Sequence, residues 1–351
     1  AMMLSALILM SGLVSAPSDQ SDVLWQPQAA AVPTDIAQAE TALQKHPENI
    51  HLASALLTGY LREARIEQGH HYLNLANKLI ADVGSDHPQR DWLIAIADTL
   101  QYQHQFAEAR TVLNRVLEES PRDVQALLML ARIALTLNET DNAKQHCTDL
   151  MGSAALGVVS TCLLEVQGRS GNLDRAYTRL TQLHEQQPGQ AQSAIAHWRL
   201  QILTEQALLL GDYQAAQRWT ASMPTPLNVV DKKRRLDSYL WDTDAQVPDA
   251  LMLDCKQTPV DSITIRLAWA EKRNQEGHCW QDYARERMQL RVMRDEKLHS
   301  ADIAYYFTYV EPDAEQARYW AQQNIEVAQE PFDYRLLSAA NALQPTQESA
   351  P

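Results

Sequence analysis

Between Arg90 and Ala155 the pattern of apolar and polar positions is written twice in one register. In the first copy small or apolar residues fall at Leu93, Ile96, Ala97 and Leu100, then at Ala109, Leu113 and Val116, and the copy closes at Pro121. Shifted by 34 positions they recur as Leu127, Leu130, Ala131, Ala134, Ala143, Cys147 and Leu150, and only the proline is replaced, by Ala155. Spacing of i, i+3, i+4, i+7 lays one apolar stripe along a helix, so each copy reads as two amphipathic helices joined by a turn. One such pair cannot bury both stripes by itself. Stacked copies bury them against their neighbours, and the period therefore predicts an array of helical hairpins.

The array extends in both directions from these two copies. Ala76 lies 33 residues before Ala109, and beyond Ala143 the same small-residue position recurs at Ala176, Ala216, Ala250, Ala284 and Ala317, in steps of 33, 40, 34, 34 and 33. Helices are expected from Asp35 to Lys45, Asn49 to Arg65 and Glu67 to Asp82, then through the two clear copies. The pattern decays around Ala216 and Ala250, where only Pro248–Cys255 is left for a second helix. It recovers over Val260–Arg273, Trp280–Met293, Asp302–Val310 and Ala314–Val327, and a last helix from Pro331 to Leu343 caps the array. The expected segmentation is a signal-like apolar stretch at 1–16, a linker at 17–34, regular repeats at 35–225, degenerate repeats with the capping helix at 226–343, and a loose tail at 344–351.

Small residues at positions 8 (Ala97, Ala131) and 20 (Ala109, Ala143) of a 34-residue unit, with Pro121 near position 32, resemble the tetratricopeptide repeat. Arg62–Gly69, the Gln101–Ala109 turn, Gly171–Ala176, Leu298–Ala304 and Asn324–Ala339 resemble a group of exported bacterial proteins of that type, to which no chemistry attaches. The resemblance implies an all-α, right-handed solenoid whose first helices line a concave face. It implies a non-enzymatic scaffold that binds a protein or peptide there. Repeat positions 2, 5, 9 and 12 would then contact the partner: Asp91, Ile94, Asp98 and Gln101; Gln125, Leu128, Arg132 and Leu135; Val158, Thr161 and Glu165; Trp198, Gln201, Glu205 and Leu208. The family's clamp for a peptide C-terminus needs Lys and Asn at several of these positions, and they are absent. Two other readings stay open: a small-molecule receptor or enzyme with a pocket in the irregular half, and a subunit of a cell-envelope complex.

Composition narrows the classes. Eleven Gly and three Phe in 351 residues leave little room for strand-rich or nucleotide-binding folds. A net charge of −14 argues against nucleic acid or an anionic membrane as partner, because binding phosphates requires clustered Lys and Arg. The basic run Lys232–Arg235 is expected on a solvated helix face, and the Arg285–Glu286–Arg287 run on an exposed face laced by i, i+4 pairs. Met2–Ala16 resembles the core of an export signal, too short for a typical span of roughly 20 residues, and would be the chain's route to a membrane if retained. An exported, periplasmic or secreted location is expected, with the cytoplasm as alternative.

Candidate chemistry is sparse. The sequence has no glycine-rich phosphate loop, dinucleotide fingerprint, His-Glu-x-x-His or Cys-x-x-Cys, so no catalytic, cofactor or metal residues are assigned. The adjacent His70 and His71 point about 100° apart on a helix and make a poor chelate. The eight Trp are assigned chiefly to packing, with a partner surface as the other use. Cys147 and Cys162 stand level on the two sides of a predicted turn near Ala154–Ala155 and could form a disulfide. Cys255 and Cys279 bracket the Val260–Arg273 helix, and joining them requires both flanking loops to fold back along it, which counts against that pair.

Overall fold

The computed structural model describes residues 36–65, 71–187, 193–255, 257 and 259–345. Met2–Ala16, the linker to residue 34, the Asp35 cap, Gly69, His70 and the tail from Thr346 lie outside the described residues. Within them every regular element is helical, and an isolated Met151–Ala154 bridge is the nearest approach to a strand.

The helices are α1 (Ile36–Lys45), α2 (Ile50–Ala64), α3 (His71–Val83), α4 (Arg90–Tyr102), α5 (Phe106–Glu119), α6 (Val124–Thr136), α7 (Thr140–Asp149), α8 (Leu156–Arg169) and α9 (Leu173–Glu185). There follow α10 (Ala194–Leu210), α11 (Tyr213–Ala221), α12 (Val229–Leu240), α13 (Asp261–Asn274), α14 (Cys279–Met293), α15 (Ser300–Tyr305), α16 (Ala314–Val327) and α17 (Pro331–Ala342). Contacts divide the chain into two units. The first comprises the residues up to Leu135, Glu139–Leu203 and Pro224–Val230; the second comprises Thr136–Asn138, Thr204–Met223 and Asp231 onward.

The hairpins α4–α5, α6–α7 and α8–α9 close by one repeated device. His104, Asn138 and Gly171 adopt the left-handed conformation (φ 57°, 58° and 88°) just after the first helix of each pair. At His104 the next amide, Gln105 N–H, donates to Leu100 O at 2.8 Å; at Asn138 the Glu139 N–H donates to Ala134 O at 2.7 Å. These are Schellman-type endings, which satisfy the last carbonyls and reverse the chain within a few residues. Each left-handed residue stands five positions before a lattice alanine, so the turn sets which residue of the second helix meets the first at closest approach. Ala76, Ala109, Ala143 and Ala176 are accordingly 0% exposed. Asn49 caps α2, its side chain accepting from His51 N–H and Leu52 N–H. Helices α2 and α4, first helices of successive hairpins, pack directly on each other, as do α7 and α8.

In the second unit the same turn recurs at Gly211 (φ 77°), where Asp212 N–H donates to Ala207 O at 2.9 Å. Ala216, Ala284 and Ala317 are again fully buried. Ala250 is not: it is exposed in a single 3-10 turn, Asp249–Leu251, because no second helix forms there to press it against a partner. The lattice is interrupted at that step. Helix α15 runs into a π turn, Tyr306–Val310, that brings Tyr305, Tyr306 and Tyr309 onto neighbouring faces.

Three expectations are corrected here. Lys233 and Arg234 of the basic run are buried rather than solvated: Arg234 pairs with Glu205 and Asp237 inside the second unit, and Lys233 lies near Asp302 and Asp237. Arg287 and Arg291 reach across to Asp261 on α13 at 2.9 and 2.8 Å and tie two helices together, whereas Arg285 is exposed and pairs along α14 with Asp282 at 3.1 Å, three rather than four residues away. Cys255 and Cys279 are bonded, with Cα atoms 6.2 Å apart. The Trp280 indole N–H donates to Leu253 O, which holds the stretch before Cys255 at the start of α14. The six residue steps from Cys255 to Asp261 can reach roughly 20 Å, and with the five steps from Asn274 to Cys279 the two connections together exceed the roughly 21 Å length of α13. Cys147 and Cys162 are bonded as the hairpin geometry suggested, with Cα atoms 5.6 Å apart.

Candidate interaction surfaces

The first helices of the first unit carry a ladder of charge. Arg65, Asp98, Arg132, Glu165 and Arg199 alternate in sign at steps of 33, 34, 33 and 34 residues, one per hairpin. Arg65, the C-cap of α2, grips Asp98 through both terminal nitrogens at 3.0 and 2.7 Å and lies over the Tyr102 ring. Arg132 donates to Glu165 at 2.8 Å. At the helix starts Arg90 spans the same interval to Asp123, with Nε 2.5 Å from a carboxylate oxygen, and reaches Gln125 at 3.3 Å. A planar guanidinium bonded to a carboxylate one repeat away fixes the spacing of neighbouring hairpins.

Arg199 ends the ladder differently. It is 1% exposed and meets neutral groups, Thr161 Oγ1 at 3.0 Å and Gln187 Oε1 at 2.7 Å. Burial pushes its guanidinium below the ordinary arginine range. Its remaining nitrogen lies so close to Gly157 that an added methyl there would sit 2.9 Å away, which favours glycine at that position in the first turn of α8.

The predicted groove positions divide into two groups. Ile94, Gln101, Leu128, Arg132, Leu135, Glu165 and Trp198 are buried, as are Val158, Thr161 and Leu208. Asp91 is exposed beside Arg90, and Asp98, Gln125, Gln201 and Glu205 are half-buried. The structure brings Arg132 to Glu165 and places Asp98 on Arg65 and Glu205 on Arg234. Sequence reasoning missed Arg65 and Arg199, although alternation of charge at the repeat interval would have exposed both.

The second unit holds a denser network. Arg266 donates to both oxygens of Asp237, at 2.7 and 3.3 Å, and lies 4.3 Å from the Tyr305 ring centroid. The Tyr305 hydroxyl donates to Asp237 at 3.2 Å, and Arg234 stands 3.5 Å from the same carboxylate. Burial and the adjacent carboxylate push the Tyr305 hydroxyl well above its usual range. Burial, with Arg234 and Arg266 nearby, pushes the Lys233 amine well below its own. Aromatic groups surround this core: Trp269 stacks on Tyr309 at 4.3 Å, Trp241 tilts against Phe332 at 5.6 Å, and Arg335 lies 3.9 Å from the Trp241 ring centroid. Asp237, Arg266, Tyr305, Tyr309 and Arg335 escaped the sequence reading because they recur at no repeat interval, whereas Trp241 and Trp269 were among the Trp assigned to packing or a partner surface.

Comparison with known proteins gives one match to a family model: residues 100–155, from the end of α4 through α7, match the model described as the tetratricopeptide repeat. The crystal structure of the APC/C hetero-tetramer Cut9-Hcn1 aligns over 87% of this chain at 17% identity with a TM-score of 0.39. The chain covers 52% of that solved chain, about half its length. No curated protein matches the sequence.

Proposed function

We propose that the protein is a scaffold that binds a protein partner through the first-helix face of its repeats, without catalysing a reaction. The observation that supports this most is the charge ladder. Bonded pairs at the repeat interval hold successive first helices in fixed register, which is what a surface of several small contacts requires to bind without reordering. Asp91, Gln125 and Gln201 are the reachable positions on the first helices of that unit, and they would contact the partner, with Asp98 half-buried on Arg65. The half-buried Trp and Tyr groups of the second unit add the residue types that concentrate binding energy in protein interfaces. Asp237, the deeply buried acid of that unit, is saturated by Arg266, Arg234 and Tyr305, which supports a structural use over acid–base chemistry.

The two disulfides are compatible with export to an oxidising compartment, which we adopt as part of this reading. Among the described residues no helix is long and apolar enough to cross a membrane. Site-specific photo-crosslinking in native cells tests the scaffold reading, with the probe at Gln125 and a control probe at Glu108 on the exposed face of the second helix α5. A discrete protein adduct at Gln125 and none at Glu108 is expected. Adducts at neither position, or equal adducts at both, would remove the first-helix face from consideration.

A further inference from the structure

The second unit carries an arginine whose partners do not match its charge. Arg234 and Arg266 meet Asp237, Arg287 and Arg291 meet Asp261, and Arg273 and Arg318 meet backbone carbonyls. Arg335 meets none of these. Its guanidinium lies over the Trp241 ring, 3.9 Å from the centroid, donates to the Tyr213 hydroxyl at 3.5 Å, and stands beside Tyr309. No carboxylate among the described residues pairs with it, in a chain whose net charge is −14.

The surroundings of Arg335 are built to stay in place. Arg273 donates to the carbonyls of Tyr239, Leu240, Asp242 and Ala245, which closes the end of α12 and fixes the turn that carries Trp241. Helix α17, which carries Arg335, begins with Pro331 and a capping box in which Glu330 N–H donates to Asp333, itself held by Asn324 at 2.7 Å. Trp269 is held face to face with Tyr309, their planes 12° apart. Trp241, Arg335, Tyr309 and Trp269 are all half-buried, so each is anchored and still reachable.

We propose that Trp241, Arg335, Tyr309 and Trp269 form a docking surface for an extended protein segment that carries a side-chain carboxylate, with the carboxylate on Arg335 and adjacent apolar side chains on the rings. This rests on the scaffold reading and names a surface and partner chemistry for it. The charge selects the partner: a guanidinium already stacked on an indole, with donors unspent, is completed by a carboxylate and repels a cation. The rings select a protein over a free anion, since Trp, Tyr and Arg together present apolar faces as well as charge. The acidic balance of the chain disfavours a nucleic acid in the same place.

Selection of short random phage-displayed peptides on the full chain tests this. Enriched peptides are expected to carry Asp or Glu beside a proline or aromatic residue and to change the indole fluorescence on binding. Replacing that Asp by Asn in the peptide, which leaves the protein untouched, should weaken binding by at least about tenfold. Arg335→Met should do the same, Arg335→Lys should retain part of the affinity, and Trp269→Leu, on another helix, should weaken the same peptides; melting curves establish that each variant is folded. Enrichment of neutral or basic peptides, or equal binding by parent and Arg335→Met, would overturn the surface while leaving the scaffold reading intact. Absence of any enriched peptide alongside a partner crosslinked at Gln125 would also overturn it. Failure of both experiments would remove the scaffold reading as well.

Discussion

The two units solve one packing problem with different chemistry. In the first, hairpins meet through alanines with no exposed surface, and charge enters as single bonded pairs from one hairpin to the next. In the second, where the repeat is interrupted at Ala250, the interior holds Asp237, Arg266, Lys233, Arg234 and Tyr305 in one connected network. A small side chain at a regular interval lets helices approach closely and leaves only apolar contact to be made. Once the interval is lost, longer side chains fill the wider spaces, and their polar ends must then find partners inside. Buried charge is therefore spaced at the repeat interval where the lattice holds and gathered into one network where it fails, and the comparison can be tested at single residues.

The largest expected effect separates the networks. Asp237→Ala leaves Arg266 and Arg234 buried without their carboxylate and should cost about 3–5 kcal/mol. Asp98→Ala in the first unit leaves a single buried arginine, Arg65, without its half-buried carboxylate and should cost about 1–3 kcal/mol. Urea unfolding of both variants decides; equal losses would mean that the second unit depends on its charges no more than the first does.

Next come the disulfides. The bonds close sequence separations of 15 and 24 residues, Cys147–Cys162 in the first unit and Cys255–Cys279 in the second. Loop entropy predicts about 3 kcal/mol for each, nearly independent of which unit holds it. Melting of the two Cys→Ala double variants under oxidising conditions measures this. A loss confined to the Cys255–Cys279 variant would show that the regular hairpin is held by packing alone.

The alanine lattice makes a sharper contrast at smaller cost. Ala143→Leu should overpack a fully buried contact and destabilise by roughly 1–3 kcal/mol, whereas Ala250→Leu, at an exposed position, should change stability by no more than about 0.5 kcal/mol. An unchanged melting temperature for Ala143→Leu would refute the repeat register itself.

The smallest effect concerns acid. Burial raises the Asp261 carboxyl, but Arg291 and Arg287 outweigh it and hold the group below its ordinary value. A depressed carboxyl contributes stability that is present above its unfolded pKa and lost as pH falls through the folded one, so this contribution disappears below about pH 4. Arg291→Met should flatten the acid limb of the stability curve without changing its slope near neutrality. An acid limb identical to that of the parent would exclude the Asp261 pairs as its source.

How much could be read in advance depends on whether an interaction recurs. Apolar stripes, turn positions and lattice alanines repeat, so Ala109 and Ala143 and the α4–α7 boundaries were legible within a few residues. The pairs Arg65–Asp98 and Arg132–Glu165 were equally legible in principle, since they sit at the same interval, but the groove reading treated Asp98 and Arg132 as free contacts. Lys233 and Arg234 were not legible. A basic tetrad at the start of a helix looks solvated unless one knows that Asp237 and Glu205 are within reach.

By itself the sequence determined the helical hairpins, their period and the register in which small residues meet, because those depend on side-chain size and spacing along one chain. It also made the Cys147–Cys162 pairing feasible, since equal distance from a turn follows from counting, and the structure forms that bond. The tertiary structure decided the rest: the bond between Cys255 and Cys279, the exposure of Ala250, the burial of Lys233 and Arg234 and the stacking of Arg335 on Trp241. None of these follows from an interaction that recurs at the repeat interval. Which charge is buried, and which is left for a partner, depends on what the fold brings within a few ångströms of it.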